Sequence, residues 1–175
     1  MAEYQDMYLV RTDGTISDHT QTIQVDVDVV MAPYSTSSTA RWGQTIGTTG
    51  MADCHGLLVI NNTGAWLAHH WCTDAFNVPA QFQGGTRVYL LGTQYPSTGW
   101  ASGRSNYAFF LNPSGQVSIY VSGVTGRAAT SKVPKSALDR SSDKDGRDKL
   151  SGSGEYTFSW DKYDIPDATP ATEVV

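Results

Sequence analysis

Basic side chains are scarce in this sequence: 12 Lys and Arg stand against 17 Asp and Glu in 175 residues, for a formal net charge of −5. Duplex recognition rests on clustered Lys and Arg, so this deficit argues against a nucleic-acid partner. Long apolar runs are missing too. None approaches the roughly 20 residues of a membrane-spanning helix, and no membrane partner is expected. The opening MAEYQDMYLV lacks a basic region and holds only a very short apolar run, so no secretory signal is read there. A cytoplasmic protein and a secreted or translocated effector both fit. Cysteine is rare, and two in a chain of this length are too few for a disulfide-built scaffold. The length leaves room for one domain with a hydrophobic core, not for a second catalytic domain.

What is present favours strands and turns. Hydrophobic residues make up 39% and charged residues only 17%, with 17 Gly, 9 Tyr, 5 Trp and abundant Ser and Thr. Residues 22–31 (TIQVDVDVVM) alternate Ile23, Val25, Val27 and Val29 against Gln24, Asp26 and Asp28, which predicts a strand with one buried face. Met7–Thr12 reads as a strand entering a turn at Asp13-Gly14, and 35–39 as a Ser/Thr-rich loop. Gly56–Ile60 and Ala65–Trp71 flank the turn signal Asn61-Asn62-Thr63-Gly64, predicting a hairpin. Thr86–Leu91, Asn106–Leu111, Val117–Val121 and Glu155–Trp160 are further strand candidates, with a turn at 112–115. Helical signals are weak: Thr73-Asp74 would cap a short helix, and Pro134–Arg140 would form one or two turns. The expected fold is α+β and β-rich, two packed sheets in one domain over 1–160, with one or two short peripheral helices. The charge-dense 132–149 reads as a mobile loop and the acidic 161–175 as a flexible tail.

Cys54, His55, His69, His70 and Cys72 fall within one short window. A thiol attacks a carbonyl as thiolate, so it needs a base, and the base needs a third group to hold it. Cys54 lies where a glycine-containing turn enters a strand, a position whose backbone N–H groups would stabilise an oxyanion. The returning strand carries His69 and His70. A two-residue turn at Asn62-Thr63 sets Cys54 opposite Trp71 and puts His69 on its face; a longer turn sets it opposite Cys72 and brings His70 there.

The segment TTGMADC (48–54), followed by an apolar strand, a glycine turn and Ala68-His69, resembles the Thr-x-Gly-x-x-x-Cys…Ala-His pattern of the chemoreceptor glutamine deamidase CheD. It is also similar to the catalytic cores of the cytotoxic necrotizing factor and Burkholderia lethal factor toxins. That resemblance implies a β-sandwich with peripheral helices, a Cys–His pair that deamidates glutamine on a target protein, and no metal or organic cofactor. Cys54 then matches the nucleophile, His69 the base, and Thr48 the group that orients the imidazole. His70 is the alternative base, and Gly50 and Asp53 are the turn positions near the oxyanion. The toxins' Ser-Gly-Cys is replaced by Ala52-Asp53-Cys54, which sets a carboxylate beside the thiol. A primary amine in place of water would make the same site a transglutaminase.

Other readings stay open on the residues alone. Cys54 and Cys72 would pair as a disulfide in the second register. Zinc would be held by His70, Cys72 and Asp74 with Cys54 or His55. Trp66 and Trp71 read as core or rim packing, and His55 and His19 as bystanders. Finally, Trp100 with Tyr95 and Arg104 would form the contact surface of a non-enzymatic, lectin-like binding module.

Overall fold

The computed structural model describes residues 2–10, 16–51, 54–71, 74, 76–83, 87–92, 105–122, 130–133, 155–156 and 171–174. The strands are β1 (Tyr4–Val10), β2 (Ile16–Gln24), β3 (Val30–Met31), β4 (Thr36–Arg41), β5 (Thr45–Met51), β6 (Cys54–Ile60), β7 (Gly64–Trp71), β8 (Phe76–Asn77), β9 (Arg87–Gly92), β10 (Ser105–Leu111), β11 (Val117–Ser122), β12 (Thr130–Val133), β13 (Glu155–Tyr156) and β14 (Ala171–Val174). One helical turn, α1 (Val25–Asp28), and a 3-10 turn at Ala80–Phe82 complete the elements. Two six-stranded sheets, ordered β2-β1-β11-β10-β5-β3 and β12-β14-β9-β6-β7-β4, pack face to face. The β-rich sandwich is therefore the fold.

Period-two patterning explains the core between the sheets. Ile46, Met51, Tyr107, Phe109 and Leu111 from the first sheet meet Cys54, Leu58, Ile60, Leu67, Tyr89 and Leu91 from the second. A second cluster, Met7, Ile23, Val29 and Ala108, lies on the outer side of the first sheet. The outer side of the second sheet is apolar too, with Leu57, Val59, Trp66 and Ala68 buried. Residues 76–82 run along it: the His70 and Phe76 rings lie 5.3 Å apart, and the Asn61 amide donates to the Gln81 carbonyl.

Five segments differ from the sequence reading. The predicted strand over 22–31 stops at Gln24, and Val25–Asp28 coil into one helical turn before β3. Val25 and Val29, four apart, are buried, while Val27 is 72% exposed. Asp28 makes the turn by accepting the Gln24 N–H at 2.9 Å, and its charge near the helix N-terminus adds to that. The Ser/Thr-rich 35–39 is largely strand, since β4 pairs along β7 from Thr36↔His69 to Arg41↔Gly64. Its polarity reflects an edge strand's solvated positions rather than a loop. Among the described residues, the helix expected to start at Thr73-Asp74 does not form, because Phe76–Asn77 pair with β13. Of the tail expected to fray, Ala171–Val174 pair with Val88–Leu91, and Lys132 and Val133, from the charged segment, extend that sheet. Pro134–Arg140 lies outside the described residues. Among the described residues, no helix is long and apolar enough to cross a membrane.

Candidate active site between the sheets

The β6–β7 hairpin adopts the two-residue-turn register. Ile60 pairs with Ala65 and Cys54 with Trp71. Asn61 secures the turn: its Oδ1 accepts the N–H groups of Thr63 and Gly64, and its own N–H reaches the Gly64 carbonyl. Gly64 is required there, since its φ is +153° and a Cβ would lie 2.0 Å from the Ala40 carbonyl oxygen. This register places Cys54 and His69 on the inner face and His70 on the outer one. His70, offered as alternative base, therefore stands across the sheet from the thiol, beside Phe76. Its backbone partner is His55.

Thr48 reaches the site from the opposite sheet. It sits on β5, fully buried, with its Oγ1 2.8 Å from His69 Nδ1 and 2.7 Å from the Ala32 carbonyl oxygen. The hydroxyl has one proton, and the Ala32 carbonyl can only accept, so that proton goes to Ala32. Oγ1 must then accept from Nδ1–H. The tautomer is settled by this chain of donors: Nδ1 carries hydrogen, and Nε2 presents a lone pair. Nε2 is buried and has no hydrogen-bond partner among the described residues. A group of that kind costs stability and is a common mark of function.

Burial, and to a lesser degree the neighbouring His70, pushes the His69 imidazole down to about 4 from its ordinary 6.5. Burial lowers His70 as well, opposed by Asp74. His69 is thus neutral at pH 7. Unfolding restores the ordinary value, so between these limits the unfolded chain binds the extra proton. Stability is then complete above pH 6.5 and falls as the pH drops toward 4. The expected loss from His69 is on the order of 2–3 kcal/mol by pH 4. Urea unfolding at pH 7 and pH 4 checks it: the difference between the two should shrink by about that amount in His69→Gln, which cannot titrate.

Cys54 is buried and not engaged in a disulfide. The chain reaches it from the first sheet through a β-bulge. Met51 pairs with Ser105 and Thr48 with Tyr107, so Thr49 and Gly50 together oppose Asn106. Gly50 takes the left-handed φ of +68°, and its N–H donates to Asn106 Oδ1 at 2.9 Å. Asn106 Nδ2 in turn donates to Ser122 Oγ. The N–H of Gly50 itself is therefore committed to the bulge, and an oxyanion would have to find its donors further along the chain. Asp53 and Cys72 lie outside the described residues, as do Tyr95, Trp100 and Arg104. No group of three or more His, Cys, Asp or Glu suited to a metal ion occurs among the described residues. Sequence reasoning missed two participants. Tyr34 lies edge-on to His69 with ring centroids 5.5 Å apart, and Asn106 anchors the bulge. An Asn at a register shift is a recognisable signal only once the pairing is known.

Comparison with protein-family models, with curated proteins and with solved structures finds no match to this chain.

Proposed function

We propose that this protein is a thiol-dependent deamidase of protein glutamine, the activity that the resemblance of Thr48, Cys54 and His69 implies. One observation supports it above the others: the Thr48 hydroxyl, committed to Ala32, holds His69 as the Nδ1–H tautomer. Its basic nitrogen is left on the sheet face that carries Cys54. The choice of glutamine comes from the resemblance; a thiol with a neutral imidazole serves acyl transfer generally.

The chemistry follows from those atoms. Cys54 Sγ–H gives its proton to His69 Nε2, which requires the two to close to about 3 Å. The thiolate attacks Cδ of the glutamine side chain and forms a tetrahedral oxyanion. Collapse breaks the C–N bond, and the imidazolium returns the proton so that ammonia leaves. The resulting thioester is hydrolysed by a water whose proton passes to Nε2, releasing glutamate and restoring the thiol. A protein bearing a reactive glutamine is the partner, and none of these steps draws on a cofactor. A primary amine in place of water would give transamidation.

Mass spectrometry of a proteome incubated with wild type and with Cys54→Ala tests the reading. Glutamine-to-glutamate conversion that depends on Cys54 is expected, and its complete absence would remove the proposal. Thr48 gives a second test. Thr48→Val leaves the Nδ1–H and the Ala32 carbonyl buried without partners, at a cost of about 1–3 kcal/mol, and frees the tautomer. Loss of kcat by about tenfold or more is expected, with Thr48→Ser retaining both fold and activity. Burial favours a second reading, in which Thr48–His69 is only a polar tie between the sheets; then Thr48→Val would lower stability alone.

A further inference from the structure

Few large hydrophobic side chains are exposed among the described residues: Tyr4, Val27, Tyr34 and Trp71. Two of these stand at the candidate site. Trp71, 44% exposed, pairs directly with Cys54 and shares the inner face with His69 at the C-terminal end of β7. Tyr34, 56% exposed, lies edge-on to the His69 ring. The turn that carries Tyr34 is fastened to the same group. The Ala32 carbonyl accepts the hydrogen bond of the Thr48 hydroxyl, the Ser35 N–H donates to the His69 carbonyl at 2.7 Å, and the Thr36 N–H closes the turn on Pro33. Ser35 holds a φ of +65°, a left-handed conformation that a serine adopts at a cost. A strained turn thus presents an exposed aromatic ring to a buried imidazole whose Nε2 has no hydrogen-bond partner among the described residues.

We infer that Tyr34 and Trp71 form an aromatic mouth to the Cys54–His69 site. It admits a protein segment in which an apolar or aromatic group neighbours the reacting glutamine. This rests on the deamidase reading above and adds the substrate class. Large amphipathic rings lose little entropy on contact and commonly anchor protein partners.

Ammonia release from two small peptides tests it. N-benzyloxycarbonyl-Gln-Gly places an aromatic group beside the glutamine, and N-acetyl-Gln-Gly does not. Wild type should favour the first in kcat/KM by about tenfold or more. Tyr34→Ala and Trp71→Ala should each cut that preference through KM, with Tyr34→Phe keeping it, and Tyr4→Ala, on the far sheet, should leave it intact. Equal use of both peptides by wild type, or a preference that the two alanine variants leave unmoved, would overturn the mouth and leave the deamidase reading standing. Release of ammonia from neither peptide, nor from any protein in the proteome incubation, would overturn both.

Discussion

Cys54→Ala is expected to lower kcat/KM for glutamine deamidation by about 10⁴-fold or more while the protein stays folded. In the proposed mechanism Cys54 forms the thioester, and alanine offers no nucleophile in its place. The structural cost is small. Cys54 belongs to the core cluster between the sheets, which also holds Met51, Leu91 and Tyr107, and removing one buried sulfur there costs about 1 kcal/mol, a few degrees in Tm. His69→Gln removes the base but leaves a thiol, so a loss of about 10²–10⁴-fold is expected. The double variant carries the sharper test. If His69 acts only by taking and returning the Cys54 proton, the double variant should be no slower than Cys54→Ala, because members of one catalytic unit fail together. Losses that simply multiply would mean that the two residues act separately. Retention of more than about a tenth of the activity in Cys54→Ala would move the nucleophile elsewhere.

The hairpin that builds the site was legible because its turn signal is local, but its register stayed open between the pairing that faces His69 to Cys54 and the one that brings His70 there. Asn61 and Gly64 bracket a turn whose geometry sets the register, and the register alone decides between His69 and His70. Thr48 was reachable only through the resemblance. Its contact with His69 joins two sheets, and no periodicity within either strand reports which side chains meet across a sandwich. Residues 22–31 failed for a different reason. Alternation of valine and aspartate satisfies a strand, but Val25 and Val29 are also four apart, and Asp28 reaching back to the Gln24 N–H favours the helical option. The Ser/Thr-rich strand β4 was hidden by composition, since exposed edge positions read like a loop when partners are unknown. At Gly50 the chain forms a β-bulge within β5 rather than a turn, and the Gly50 amide is bound by Asn106, a residue 56 positions away.

Gly47→Ala is expected to destabilise the fold by about 3 kcal/mol or more, lowering Tm by roughly 6–12 °C. Gly47 pairs with Ala108 on β10 and accepts the Ala32 N–H from the β3 side. A Cβ at this position would lie 2.3 Å from the Tyr107 carbonyl oxygen, 3.0 Å from Val29 Cγ1 and 3.2 Å from Ala108 Cα. The nearest of these is backbone, so no rotamer change relieves it, and β5 and β10 would have to separate. Gly50 provides the contrast within the same strand. A Cβ there meets nothing within 4 Å, so Gly50→Ala bears only its left-handed φ, about 1–2 kcal/mol. Thermal unfolding of the two variants should therefore rank Gly47→Ala well below Gly50→Ala. The displacement also reaches the site, because Thr48 follows Gly47 directly and its hydroxyl spans only 2.8 Å to His69. Residual Gly47→Ala protein, assayed below its own Tm, should show reduced kcat as the imidazole loses its partner. A Gly47→Ala melt within 2 °C of wild type would mean that β5 does not lie against β10 in this register, and Thr48 would then no longer face His69.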